Sequence, residues 1–164
     1  LDEFTAIGIG DMGVGECAGE VVSLTEFDLV GAETQVFEAQ LQLEADDFAH
    51  ADALAYGAML QAAKGLIKTE FIDISADPNQ IVTEFRSRFF DTQLFFDKYA
   101  GGKFAQYLFR RHARGERPAD RDTARQLIEE AQLFLEATHA CQARLASQPA
   151  VPPTGTPPAV AGRA

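Results

Sequence analysis

An all-α bundle is the fold class that this sequence predicts, and three observations predict it. Between residues 28 and 146 the apolar residues recur at steps of three and four, the period of one helix face. No stretch in that span alternates apolar and polar residues as a half-buried strand would. The helical patterns are separated only by short punctuation, at Asp73 to Asn79, Gly101-Gly102 and Gly115 to Pro118, and short connections favour antiparallel neighbours. The expectation is an up-and-down bundle of four to five helices over 28–146, with a glycine-rich segment before it and a Pro-rich tail after it.

Each element has a local reason. Residues 1–27 carry Gly8, Gly10, Gly13, Gly15 and Gly19 without a 3.6-residue period, and read as looped or extended chain. The first helix is expected from about Asp28 to Asp47, with Leu29, Val36, Phe37, Leu41 and Leu43 as its apolar residues. The second runs from about His50 to Glu70 on a broad stripe that includes Ala55, Met59, Ala62 and Leu66, with Gly57 allowing close approach of a neighbour. Asp77 is the expected N-cap of the third, and Pro78 suits its first turn. That helix is expected to reach Tyr99, with Ile81, Phe85, Phe89, Thr92, Phe96 and Tyr99 on one face. Phe90, Phe95 and Phe109 do not fit the same face, so surplus apolar surface is expected to meet a partner chain. A shorter helix follows over Lys103 to Arg114. The last, about 119–146, is capped by Asp120 or Asp122 and carries Ala124, Leu127, Ile128, Ala131, Phe134, Leu135, Thr138, Cys141 and Leu145 as a core seam. Residues 147–164 hold five of the seven prolines and no aromatic residue, and are expected to be disordered.

At 164 residues, with 46% hydrophobic and 24% charged, the chain is one domain's worth of sequence with enough apolar residues for a core. No apolar run reaches the roughly 18 residues of a membrane span, and no secretory signal is visible, so a cytoplasmic location without a membrane partner is expected. Two cysteines make neither a disulfide framework nor a four-cysteine zinc site. A net charge of −11 argues against nucleic acid as a partner. The charge is unevenly spread: residues 1–63 hold 13 acids and no Lys or Arg, whereas the remainder holds 14 basic residues against 12 acids. The simplest account is self-complementation, in which later basic residues lie against earlier acids within the chain or across a dimer. The chain begins at Leu1 and reads as a piece of a longer product.

Few motifs carry chemistry. Gly8 to Gly13 spell G-x-G-x-x-G, but only seven residues precede them and no parallel βαβ pattern follows, so a connector is favoured over a dinucleotide site. Cys17 lies in the same segment as a candidate reactive or ligand thiol, with Glu16 and Glu20 nearby opposing thiolate formation. Glu136 and His139 form E-x-x-H, and Asp47 and His50 form its aspartate analogue. Such pairs hold metal in di-iron four-helix bundles, although Glu136 and His139 flank the core seam and His50 falls at a turn. A divalent metal is therefore the weaker alternative. Arg110, Arg111 and Arg114 form a basic segment able to hold an anion or a nucleotide phosphate by charge-assisted hydrogen bonds. No Ser-His-Asp or Cys-His arrangement is present to support nucleophilic catalysis.

The block from Ala55 to Ile67, AYGAMLQAAKGLI, resembles the second-helix block of HEPN domains, which reads roughly A-Y-x-A-M-x-x-A-A-K-A-L-L. Ala124 to Glu136, ARQLIEEAQLFLE, is similar to that family's final helix. The resemblance covers about 28–146 and implies an up-and-down helical bundle that is commonly dimeric. Some members are RNases with an R-x4–6-H motif. None of His50, His112 or His139 has an Arg at that spacing, so a non-catalytic member is expected and no catalytic residue is carried over. Asp11 to Glu20, DMGVGECAGE, resembles a junction found in bacterial sulfite/nitrite reductase-type proteins with an appended HEPN-like domain. That likeness implies an accessory role beside a fused or separate redox enzyme.

Overall fold

The computed structural model describes residues 16–116 and 119–147, and these fold as five α-helices without a strand among them. They are α1 (Glu16–Glu44), α2 (Phe48–Ile67), α3 (Pro78–Phe85), α4 (Lys103–Arg114) and α5 (Arg121–Ser147). The helical bundle expected from the sequence is thus present. The G-x-G-x-x-G segment and residues 148–164 lie outside the described residues, as does the side chain of Cys17.

Helix α1 starts earlier than expected, at Glu16, so residues 16–27 are helical rather than looped. The acid-rich sequence hides a second face here. Thr25 and Leu29 are buried, and the Thr25 hydroxyl donates to the Gly65 carbonyl at 3.1 Å, tying the early part of α1 to the end of α2. Gly65 matters to this contact: a Cβ there would meet Asp28 Cβ at 3.0 Å. The two helices run antiparallel through a tight turn in which Asp46 takes φ of 63° and Asp47 caps α2 by accepting from the His50 amide.

Helix α3 opens as its sequence dictates, with Asp77 accepting from the Gln80 amide at 3.1 Å and Pro78 in the first turn. It does not reach Tyr99. The backbone widens into one π-helical turn over Arg86–Phe90, closed by the Asp91 amide donating to the Arg86 carbonyl at 2.8 Å. Gln93 then takes φ of 63°, and the Asp97 carboxylate accepts from the Tyr99 and Ala100 amides, both at 2.7 Å. These local side-chain and backbone bonds replace the helix that aromatic spacing predicts. Tyr99 and Phe96 consequently lie exposed, whereas Phe95 turns inward.

The surplus-phenylalanine expectation is likewise corrected. Phe85 and Phe89 are fully buried, Phe95 and Phe109 nearly so, and Phe90 packs edge-on against Phe109 with centroids 5.1 Å apart. One core accepts them all because they reach it from different elements: Phe89 and Phe90 from the π-turn, Phe95 from the segment beyond it and Phe109 from α4. Phe85 is its centre, 5.0 Å from Phe95 and 5.6 Å from Phe134.

The final helix is capped by Asp120, whose carboxylate accepts from the Thr123 amide at 2.8 Å. Its seam Ala124, Leu127, Ile128, Ala131, Phe134, Leu135, Thr138 and Cys141 is buried as expected. Glu33 meets His139, and Asp46 meets Arg121, so α5 runs antiparallel to α1. Strict up-and-down alternation breaks at α3. Residues 68–77 carry the chain back along α2, so Asn79 lies at the level of Tyr56 through His112, while Arg88 reaches Glu70 beyond the end of α2.

Candidate functional site

The basic segment sits at the C-terminal end of α4, where its cations meet acids from the first half of the chain. Arg111 is almost wholly buried, and its guanidinium forks onto the equally buried Asp52 carboxylate, with Nε to Oδ2 at 3.0 Å and Nη2 to Oδ2 at 2.9 Å. Arg111 also donates to the Gly115 carbonyl at 2.9 Å and lies over the Tyr56 ring at 4.2 Å. Arg114 donates to the other Asp52 oxygen at 2.6 Å. One carboxylate therefore holds two arginines. Arg110 points outward, 3.8 Å from Glu130 on α5. The three arginines line a notch of about 230 Å³ with Thr123, Gln126 and Glu130. Two of its three cations already have a buried counter-charge, so an incoming anion meets chiefly Arg110 and the outer edge of Arg114.

A polar chain runs beside this pair. Tyr56 Oη lies 2.6 Å from His112 Nδ1, and His112 Nε2 lies 3.0 Å from Asn79 Oδ1. All partners are satisfied when the phenol donates to Nδ1 and the Nε2–H donates to the amide oxygen. Burial pushes the Tyr56 phenol above its ordinary value of 10.0, against the opposing pull of the Arg111 cation. The phenol thus stays protonated, as a donor requires. This chain of hydrogen bonds joins α2, α3 and α4.

The structure does not bring the two candidate metal pairs together. Asp47 and His50 sit at the α1–α2 turn, next to the start of α5, where Arg121 meets Asp46. Glu136 and His139 lie 15 and 18 residues further along α5, so about 22–27 Å separates the pairs at 1.5 Å per residue. The Asp47 carboxylate is occupied as a helix cap, and His139 Nε2 is 2.7 Å from Glu33 Oε2. Among the described residues no three His, Cys, Asp or Glu side chains gather as a metal-ligand set.

A different surface stands out on α1. Phe27, Val30, Phe37 and Leu41 are 72%, 60%, 59% and 47% exposed. With exposed Thr34 they follow steps of three and four, which puts them on one ridge about 21 Å long. Beside the ridge, α1 and α5 enclose an open groove of about 480 Å³, walled by Val36, Phe37 and Leu135 and rimmed by Glu33, Glu136 and His139. Single exposed apolar residues need no explanation, whereas four in register on one helix face form a continuous apolar strip.

Sequence reasoning found Arg110, Arg111 and Arg114 and missed Asp52, the common partner of the last two. Asp52 carried the signal: it stands in helical register with Ala55, Met59, Ala62 and Leu66, inside an apolar stripe where an acid needs a buried cation. Phe37 and Leu41 stood among the apolar residues expected on the first helix with Leu29, Val36 and Leu43, but their spacing did not separate an outward face from an inward one. The described residues contain no helix long and apolar enough to cross a membrane. In comparisons with known proteins, no family model, curated protein or solved structure matches this chain.

Proposed function

We propose that this chain is a non-catalytic, HEPN-like accessory domain that works by docking. The single observation that carries this reading is the exposed apolar ridge Phe27, Val30, Phe37 and Leu41 on α1, beside the α1–α5 groove. A helix that presents a second apolar face outward, after burying a first one in its own core, is built to contact another polypeptide. The HEPN resemblance and the reductase-like junction at Asp11 to Glu20 support a partner that is either a second copy or a redox enzyme of sulfite/nitrite reductase type. Binding of an anion or a nucleotide phosphate at Arg110 and Arg114 is a subsidiary activity of the α4–α5 notch, supported by the outward-pointing Arg110.

The test is sedimentation velocity of the purified chain, alone and mixed with a purified reductase of that type. Self-association or complex formation is expected, and Phe37→Asp should abolish it without lowering the melting temperature. A chain that stays monomeric, binds no such enzyme and behaves identically as Phe37→Asp refutes docking through α1. A thermal-shift panel of ATP, GTP, adenylyl sulfate, sulfate and divalent metals tests the notch separately: a shift with an anion should disappear in Arg110→Ala. Stoichiometric metal lost in His139→Ala would instead favour the metal-binding alternative, and robust RNA cleavage would refute a non-catalytic role.

A further inference from the structure

The α1 ridge and the groove beside it have a charge character that selects among occupants. From Thr25 onward the exposed charged side chains of α1 are Glu26, Glu33, Glu38 and Glu44, and none is basic. Helical spacing places Glu26, Glu33 and Glu44 on one side of the apolar ridge and Glu38 on the other. Across the groove α5 adds Glu136, and the one group there able to carry positive charge, His139, already faces Glu33 at 2.7 Å. Arg121 lies beyond the end of the ridge and is paired with Asp46. The surface is an apolar strip with Glu26, Glu33 and Glu44 along its groove side, Glu136 across the groove, and Glu38 alone on its other side.

A second copy placed ridge to ridge, parallel or antiparallel, would set glutamates against glutamates along both seams. Like charges flanking a helix pair act against that pairing, whereas opposite charges at flanking positions select partner and orientation. We infer that the α1 ridge and groove receive an amphipathic helix of a different polypeptide, about 14 residues long, with apolar residues at three- and four-residue steps flanked by Lys or Arg. This inference rests on the docking reading above and specifies the partner's chemistry. The apolar strip supplies attraction, and the glutamates supply orientation, association rate and rejection of acidic helices.

The test is fluorescence anisotropy with the full chain and labelled synthetic peptides of about 18 residues, just longer than the ridge. One has leucines at three- and four-residue steps with lysine flanks. A second has the same leucines with glutamate flanks, and a third scrambles the first. The lysine-flanked peptide is expected to bind at least about tenfold more tightly than either control, and to weaken as salt rises from about 0.05 to about 0.5 M. Phe37→Asp should lose binding. Glu26→Gln combined with Glu38→Gln and Glu44→Gln should keep binding but flatten its salt dependence. All four side chains are exposed, so unchanged melting curves are the control for folding. Equal binding of the lysine- and glutamate-flanked peptides overturns the inference and leaves docking intact. No peptide binding, combined with self-association abolished by Phe37→Asp, also overturns it and makes a second copy the occupant. No peptide binding by a chain that neither self-associates nor binds the reductase removes the docking reading itself.

Discussion

Removing the Asp52 carboxylate should be among the most damaging single changes in this protein. The side chains of Asp52 and Arg111 are 4% and 3% exposed, and Asp52 accepts from Arg111 Nε at 3.0 Å and Arg114 Nη2 at 2.6 Å. Asp52→Ala leaves a guanidinium buried without its counter-charge, which costs about 3–5 kcal/mol. In a domain of roughly 130 residues each kcal/mol moves Tm by about 3–5 °C, so a fall of about 10–20 °C is expected. Arg114 is less buried and rehydrates on release, so Arg114→Ala should cost only about 1 kcal/mol or less. Replacing both buried partners by apolar groups, as Asp52→Leu with Arg111→Met, should recover most of the loss, because neither charge is then stranded. Urea denaturation followed by circular dichroism measures all four chains. A loss below about 1 kcal/mol for Asp52→Ala, or a double variant no better than the single one, would refute the reasoning.

Further outcomes follow from other contacts. Gly65→Val should destabilise the chain by about 1–3 kcal/mol, because even the first carbon of a side chain there meets Asp28 Cβ at 3.0 Å; chemical denaturation reads this directly. The Cys141 thiol is pushed up to about 11 by burial, against the smaller pull of Arg144, so in a Cys17→Ser background it should resist alkylation at pH 8 until the chain is unfolded. Asp120 is held below the ordinary carboxyl value of 3.8, first by the Thr123 amide, so its folded-state value is depressed. Its stabilising contribution is present above the ordinary value and is lost as pH falls through the depressed one. Asp120→Asn should therefore reduce the acid-dependent part of the stability curve, measured as Tm against pH.

How far the sequence speaks depends on whether local signals and tertiary ones agree. On α5 they agree: Asp120 caps, and the seam from Ala124 to Cys141 is buried in register. At Asp77-Pro78 they also agree, because a cap and a first-turn proline are both local devices. They part after Phe85. Aromatic spacing there continues the helical period, but the π-turn, the left-handed Gln93 and the Asp97 turn redirect the chain, and no period records that change. The self-complementation of charge was legible as a trend and appears as Lys68 with Asp28, Arg111 with Asp52 and Arg121 with Asp46. Which acid meets which base was not legible, since these partners join through tertiary packing. The outward face of α1 was obscured for a related reason. Two apolar stripes on one helix overlap in sequence, and only the position of α2 and α5 decides which stripe is covered.

The groove on α1 is completed by residues far away in sequence, with Glu33 and His139 separated by 106 positions. Helices α1 and α2 meet through a short turn and can zip together early, whereas α5 must arrive across most of the chain. Until it does, the wall formed by Leu135 and Glu136 is missing. A partner that needs both walls, as proposed above, has nothing to hold until α5 has packed against α1. The surface would therefore tell a folded bundle from a bare α1–α2 hairpin, coupling recognition to long-range folding.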